Sequence, residues 1–249
     1  MIELKNVRAG YGKKTVIENA CMNIGRGRLT CVVGRNGCGK STLLKTAAGI
    51  LQADHGNVLI DGRDVAGLSR KDVARSLSYL SQTQSVADMS VWQLVLHGRF
   101  PYITYPGRYG EKDFDIADKA IKRMGLSEHL NSALSSLSGG MCQKAYIAMS
   151  LAQNTDYILL DEPTTFLDVY SQLELMKILR ELADENKGVV IVMHDLLMAF
   201  RFCDEIVVMD NGQIRAVGSA DEIYRQDLVK EIFGVDLERK NENEYYYRF

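Results

Sequence analysis

Gly34-Arg35-Asn36-Gly37-Cys38-Gly39-Lys40-Ser41 fits the pattern GxxxxGK[ST], a spacing whose chemistry is the cradling of phosphate. Glycines let the backbone curl so that successive N–H groups and a helix N-terminus face the anion and spread its charge over fixed dipoles. In such a loop Lys40 is expected to reach the β- and γ-phosphates, the Ser41 hydroxyl to ligate Mg2+, and Thr42 to donate to a nearer phosphate. Tyr157 to Asp161 is an apolar run that ends in two adjacent acids, Asp161 and Glu162. Burying two carboxylates is costly unless they meet a cation or a reacting water. Asp161 can hold Mg2+ directly or through water, and Glu162 can polarise an attacking water.

Those groups need elements to hold them. Leu29 to Val33 is a short run without polar alternation, as in a strand covered on both faces. After Lys40, the residues Leu43, Leu44, Ala47, Ala48 and Leu51 recur at helical spacing. Further runs of the buried-strand kind lie at Tyr157 to Leu160, Val189 to Met193 and Ile206 to Met209, separated by helical stretches such as Leu173 to Ala183. They predict a parallel α/β core. Alternation at Ile2 and Leu4, then at Ala20, Met22 and Ile24, predicts half-buried antiparallel strands before it.

Residues of about 86 to 150 differ in character. Ser90 and Gln93 form a capping-box signal before Val91 to Arg99, and Phe114, Ala117, Ile121 and Met124 make an apolar helical stripe. Between these helices, Phe100 to Tyr109 carries two prolines, Gly107 and several aromatics, which predicts an exposed, structured loop. Asn211-Gly212 is a hairpin turn signal, and Ser219 with Glu222 forms another capping box. The polar end from Glu238 to Phe249, with Tyr245, Tyr246 and Tyr247 together, fits either a loose tail or an added edge strand.

Composition narrows the function. Of 249 residues, 30 are Lys or Arg and 32 are Asp or Glu, so the formal charge is −2. The basic excess of a general nucleic-acid binder is missing, and any anion must be held locally. No stretch approaches the ~18 apolar residues of a membrane span, and Met1 to Gly10 lacks the pattern of a secretory signal. Five dispersed cysteines without a CxxC pair predict neither a disulfide framework nor a zinc site.

A phosphate cradle alone does not choose among kinases, GTPases, motors and transport ATPases. The guanine-selective NKxD pattern is absent, its nearest counterpart being Asn186-Lys187-Gly188-Val189, which disfavours GTP. Leu137-Ser138-Gly139-Gly140-Met141-Cys142-Gln143 resembles the LSGGxxQ signature of the ABC transporter ATPases, and the likeness extends over essentially the whole chain. The fold it implies is α/β: a P-loop ABC-type ATPase with a RecA-like parallel-sheet core (residues 1–85 and 151–237), an N-terminal antiparallel β region, an inserted helical lobe (86–150) and a C-terminal tail (238–249). Ser138 can cap a helix whose first residues, Gly139 and Gly140, present free N–H groups to an anion.

By the same resemblance, Tyr11 is expected to stack on adenine, Gln82 to sense Mg2+ and the γ-phosphate, Asp168 to bridge a dimer and His194 to contact the γ-phosphate. Taken singly, Tyr11 reads as a turn aromatic, His194 as a strand-end histidine and Ser138 as an ordinary cap. Their order along one chain favours function. Met141 and Cys142 depart from the family, which usually carries Gln at the first of these positions and a polar residue at the second. ATP and Mg2+ are the implied ligands. The resemblance further implies a head-to-tail homodimer, two permease subunits and, through them, a substrate-binding protein, at the cytoplasmic face of the cell membrane.

Val95 to Tyr102, together with Asp161 to Asp168, is similar to subunits of the metal-chelate importers that carry siderophore, haem or cobalamin. Metal ions or an oxyanion such as molybdate remain alternative cargoes. Soluble ABC ATPases of translation or repair and small-molecule kinases are the competing classes. The former generally carry two cores or a long coiled coil, and the latter lack the signature.

Overall fold

The computed structural model describes residues 1–82, 88–104, 106–241 and 244–248. Strands β1 (Ile2–Tyr11) and β2 (Lys14–Ile24) pair antiparallel, with Ile2 opposite Ile24 and Tyr11 opposite Lys14. In β3 (Arg28–Gly34) every residue after Arg28 is buried, as its unbroken apolar run requires. The glycine-rich loop leads into α1 (Lys40–Ala47), followed by β4 (His55–Ile60), β5 (Arg63–Asp64), α2 (Arg70–Ser76) and β6 (Leu77–Leu80).

Next come α3 (Val91–His97), α4 (Glu111–Arg123) and α5 (Gly139–Ala152), the last running across the expected boundary between residues 150 and 151. The chain then alternates through β7 (Tyr157–Asp161), α6 (Val169–Asp184), β8 (Gly188–Val192), α7 (Leu196–Phe202) and β9 (Glu205–Asp210). It finishes with β10 (Gln213–Gly218), α8 (Ala220–Arg225), α9 (Leu228–Phe233), β11 (Asp236–Asn241) and β12 (Glu244–Arg248).

Six strands form the central sheet in the order β10-β9-β3-β8-β7-β6, parallel except for the edge strand β10. A separate four-stranded sheet, β2-β1-β4-β5, carries the antiparallel entry region. Alternate side chains of the central strands feed two cores. Val32, Val190 and Val192 pack with Leu43 and Leu44 of α1 and with Ile2 and Leu4 of the small sheet. Cys31, Val33 and Ile191 face the opposite way, into a core shared with α3, α4, α5, α6 and α7. Two-sided burial is why these strands read as continuous apolar runs.

Both predicted capping boxes are present, Ser90 with Gln93 and Ser219 with Glu222. Asn211 and Gly212 both take positive φ, 47° and 79°, as the hairpin between β9 and β10 demands. Within the aromatic loop the sequence disfavours helix, yet Phe100–Tyr102 forms one 3-10 turn. Pro101 is tolerated there because the first turn needs no donor from it. The C-terminal end is neither a loose tail nor an edge of the main sheet: β11 and β12 make a hairpin of their own, beginning at Asp236. Tyr245 pins that hairpin to the core, its ring against Phe200 and Tyr224 and its hydroxyl donating to Asp221 at 3.0 Å. The expected boundary between residues 85 and 86, and Tyr105 of the aromatic loop, lie outside the described residues.

Candidate functional site

Every group predicted to do chemistry at the phosphate end sits where a parallel strand stops. Gly34 closes β3, Asp161 closes β7, His194 follows β8 and Gln82 follows β6. The carboxyl ends of a parallel sheet are where α/β folds bind ligands, because the loops there leave a crevice. At this edge a cleft of about 400 Å3 is lined by Val16, Asn36, Gly37, Gly39, Lys40, Ser41, Thr42, Gln82, Glu162 and His194.

The cradle is tightly held. The Lys40 ammonium donates to the carbonyls of Gly34 at 2.9 Å and Arg35 at 3.1 Å, spanning the loop from its own helix start. Gly39, with φ of 108°, lets the chain turn directly into α1. Cys38 belongs to the cradle, but its side chain does not line the cleft. Its thiol packs inward, where burial pushes its pKa up against the pull of Lys40, and Cys38 meets the hairpin tip through its backbone, its carbonyl accepting from Gly212 N–H at 3.0 Å.

Asp161 lies beneath the cleft, almost fully buried. Ser41 Oγ donates to its Oδ1 at 3.0 Å and Tyr79 Oη to its Oδ2 at 3.2 Å. Burial raises the carboxyl above the usual range, against the downward pull of those two hydroxyls. The Tyr79 phenol is itself pushed up, first by burial and then by the Asp161 charge. Sequence reasoning missed Tyr79; its place one residue before the strand end, on the side facing Asp161, becomes visible only once β6 pairs with β7.

Glu162 extends over the cleft with φ of 52°, a left-handed conformation rare for a non-glycine residue and typical of functional positions. Gln82 Nε2 donates to its Oε2 at 2.7 Å, and His194 Nε2 lies 2.7 Å from its Oε1. Three residues from three strand ends thus meet at one carboxylate.

Other expected residues lie elsewhere. Tyr11, about half exposed at the end of β1, does not line the cleft. Ser138, Gly139 and Gly140 are also outside it, at the start of α5, where Ser138 Oγ accepts from Met141 N–H at 3.3 Å as a cap should. The signature is tied to the acid loop instead: Gln143 Nε2 donates to the Pro163 carbonyl at 3.1 Å, and the signature glycines pack on the Phe166 backbone and side chain. Met141 and Cys142, the departures from the expected motif, are partly buried and pack against the same core as Cys31 and Val33. Asp168 caps α6, accepting from Ser171 N–H at 2.8 Å, a bond that lowers its pKa. Beside it Phe166, Val169 and Tyr170 are all largely exposed.

The donor set suits Mg2+. A hydroxyl and a carboxylate oxygen 3.0 Å apart are hard ligands of the kind this ion takes alongside substrate phosphates. Lys40 and the N-terminus of α1 suit the phosphates themselves.

A phosphate cradle with an acid pair on one edge of the sheet, and a capped glycine helix start away from it, define an ATP-binding cassette. The sequence profile of the ABC transporter family matches residues 17–165, and this chain belongs to that family: it is an ATPase coupled to transport. Among its relatives, the petrobactin import ATP-binding protein FpuD of Bacillus anthracis is 38% identical over 239 residues, covering 95% of this chain and 88% of that protein. The ferric enterobactin transport ATP-binding protein FepC of Escherichia coli K12 is 39% identical over 229 residues, covering 91% and 84%. Among solved structures, the dimeric ABC transporter cassette MJ0796 superposes with a TM-score of 0.78 at 28% identity, covering 88% of this chain and 99% of that one. The same cassette in a dimeric post-hydrolysis state bound to ADP and Pi gives a TM-score of 0.78 at 27% identity, with the same coverage of 88% and 99%.

Proposed function

We propose that this chain hydrolyses ATP to power uptake of a metal chelate of the ferric-siderophore type through a separate permease. The observation that carries the reaction is the placement of Glu162, oriented through both oxygens by Gln82 and His194 beside Lys40 and Ser41. The choice of cargo is supported by the relatives' names, petrobactin and ferric enterobactin import.

In this reading, the cradle amides from Asn36 to Gly39 and the Lys40 ammonium hold the triphosphate and offset its charge. Ser41 and Asp161 supply the oxygens for Mg2+, with Gln82 beside them. When bound, that ion neutralises charge developing on the β- and γ-oxygens. Glu162 accepts a hydrogen bond from the attacking water and takes its proton as the water oxygen bonds the γ-phosphorus and the bond from that phosphorus to the ADP oxygen breaks, releasing ADP and phosphate, while His194 and Gln82 hold the carboxylate in line. Tyr11 then serves the adenine, as an exposed ring at the β1 end allows.

The signature completes the site from a second copy. Ser138, Gly139 and Gly140 of one protomer would contact the γ-phosphate held by the other, with Asp168 and the exposed Phe166, Val169 and Tyr170 at the seam. Support comes from the separation of the two anion-binding ends within one chain and from the dimeric relatives. Two permease subunits would dock on the insert around the exposed Phe100, placing the dimer at the cytoplasmic face of the membrane, with a substrate-binding protein acting only through the permease. Mixing inactive Lys40→Ala chains with inactive Ser138→Arg chains tests the arrangement. Partial recovery of hydrolysis is expected, since one of the two mixed sites is intact; no recovery at any ratio would refute it.

A further inference from the structure

Arg99 is an arginine with about 5% of its side chain exposed, and the ATP site does not use it. A buried guanidinium is costly unless every donor is engaged, and this one is engaged on three sides. Its Nε donates to Asp113 Oδ1 at 2.9 Å, at the start of α4. Its Nη1 donates to the carbonyls of Ala152 at 3.0 Å and Gln153 at 3.2 Å, the last turn of α5. The Tyr102 ring lies 3.9 Å from the guanidinium carbon.

The neighbouring backbone is welded to the same spot. A Cβ on Gly98 would come within 2.2 Å of the Met149 carbonyl, so the end of α3 touches α5 directly. From the core side, Arg75 Nε of α2 donates to the Pro101 carbonyl at 3.0 Å, and Lys71 donates to the Ile103 carbonyl. Gln153 donates back to the Leu77 carbonyl at 2.9 Å. Phe100, 68% exposed, projects from this junction.

α5 is one rigid rod of 14 residues, about 21 Å long at the standard rise. Its N-terminus is the signature, Ser138 to Gly140, and its C-terminus is the place where Arg99 ties the aromatic turn. We propose that Arg99 is a positioning residue that couples the permease to the ATP site: force applied at Phe100–Tyr102 passes through its guanidinium to the base of α5 and reorients the signature at the far end. The cation suits this task because positive charge at a helix C-terminus is favourable and the planar fork binds two carbonyls and a carboxylate at once. A lysine there would present a point charge and hold fewer of these partners.

The inference rests on the proposal that the permease docks around Phe100. The test compares ATPase rate per chain for the isolated protein and for its complex with the copurifying permease in liposomes. Two variants are read, Arg99→Gln and, should that chain misfold, Arg99→Lys. The parent is expected to change rate on joining the permease by a factor of about 5 or more, the usual lower range of coupling between sites. The Arg99 variant is expected to keep the isolated rate and to copurify with the permease, yet to show less than half of that change. A variant that couples as the parent does overturns the inference, and so does one whose isolated rate falls in step with the complex, which marks Arg99 as merely structural. Phe100→Asp is the separate control: retention of the complex by that chain refutes the docking reading itself, whereas its loss beside an Arg99 variant with normal coupling refutes only the lever.

Discussion

Glu162 Oε1 lies 2.7 Å from Nε2 of His194, and the other oxygen accepts from Gln82 at 2.7 Å. The carboxylate is therefore positioned before any water reaches it. Replacing Glu162 with Gln keeps the shape and removes the proton acceptor, so hydrolysis should fall about 10²- to 10⁴-fold, the usual worth of a general base. Binding of a fluorescent ATP analogue should be retained. Turnover at the parent rate would remove Glu162 from its role.

Tyr79 holds the second oxygen of Asp161 at 3.2 Å, leaving the first turned to Ser41. Tyr79→Phe deletes one donor to a buried carboxylate whose burial already favours the protonated form. Loss of a hydrogen bond worth roughly 1 kcal/mol corresponds to about a fivefold rise in the Mg2+ concentration needed for half-maximal binding. Magnesium titrations monitored by nucleotide fluorescence would measure it, with Mg-free ATP affinity expected to stay unchanged.

The β9–β10 turn braces the cradle from behind. Gly212 N–H donates to the Cys38 carbonyl at 3.0 Å, and the Gly212 carbonyl accepts from Glu18 N–H at 2.9 Å. Its φ is +79°, and a Cβ there would come within 2.3 Å of the Val16 carbonyl. Gly212→Ala should push the turn off the loop and weaken ATP binding by about tenfold, a cost of ~1–2 kcal/mol typical of strain at a positive-φ site. Asn211→Gly, at a residue already left-handed, should bind as the parent does; calorimetric titration of both variants separates the outcomes.

Asp113 links Arg99 to the N-terminus of α4. Burial alone would raise its pKa, but the Gly110 N–H and the Arg99 guanidinium outweigh it and hold the carboxyl below its ordinary value. A depressed folded-state pKa stabilises the protein above the unfolded value of ~3.9, and that contribution is lost as pH falls through the folded one. Asp113→Asn should therefore lower the thermal midpoint at pH 7, and its deficit should shrink from about pH 4 downward. A deficit that stays constant into strong acid would show that the charge of Asp113 contributes nothing.

The phosphate loop, the acid pair and the signature cap were legible because each is a contiguous pattern with a local physical cause: glycine curvature, a two-sided apolar strand, a serine before a free helix start. The parallel core was legible for the same reason. Tyr79, Gly212 and Arg99 were not. Tyr79 matters through strand register with β7, Gly212 through a hairpin folded back onto a loop 174 positions earlier, and Arg99 through the end of a helix 53 positions away. The terminal hairpin fits two readings in the sequence because its apolar residues are few, Leu237 and three tyrosines, and its anchor, Tyr245, packs on Phe200 and Tyr224, which sequence spacing does not bring near.

In the proposed dimer two copies share each nucleotide. The most direct measurement is the ATPase rate per chain of the isolated protein across a dilution series, with light scattering giving the mass at each concentration. A rate per chain that climbs with concentration as single copies pair is predicted. Full activity per chain, unchanged down to concentrations where scattering finds only single copies, would contradict it.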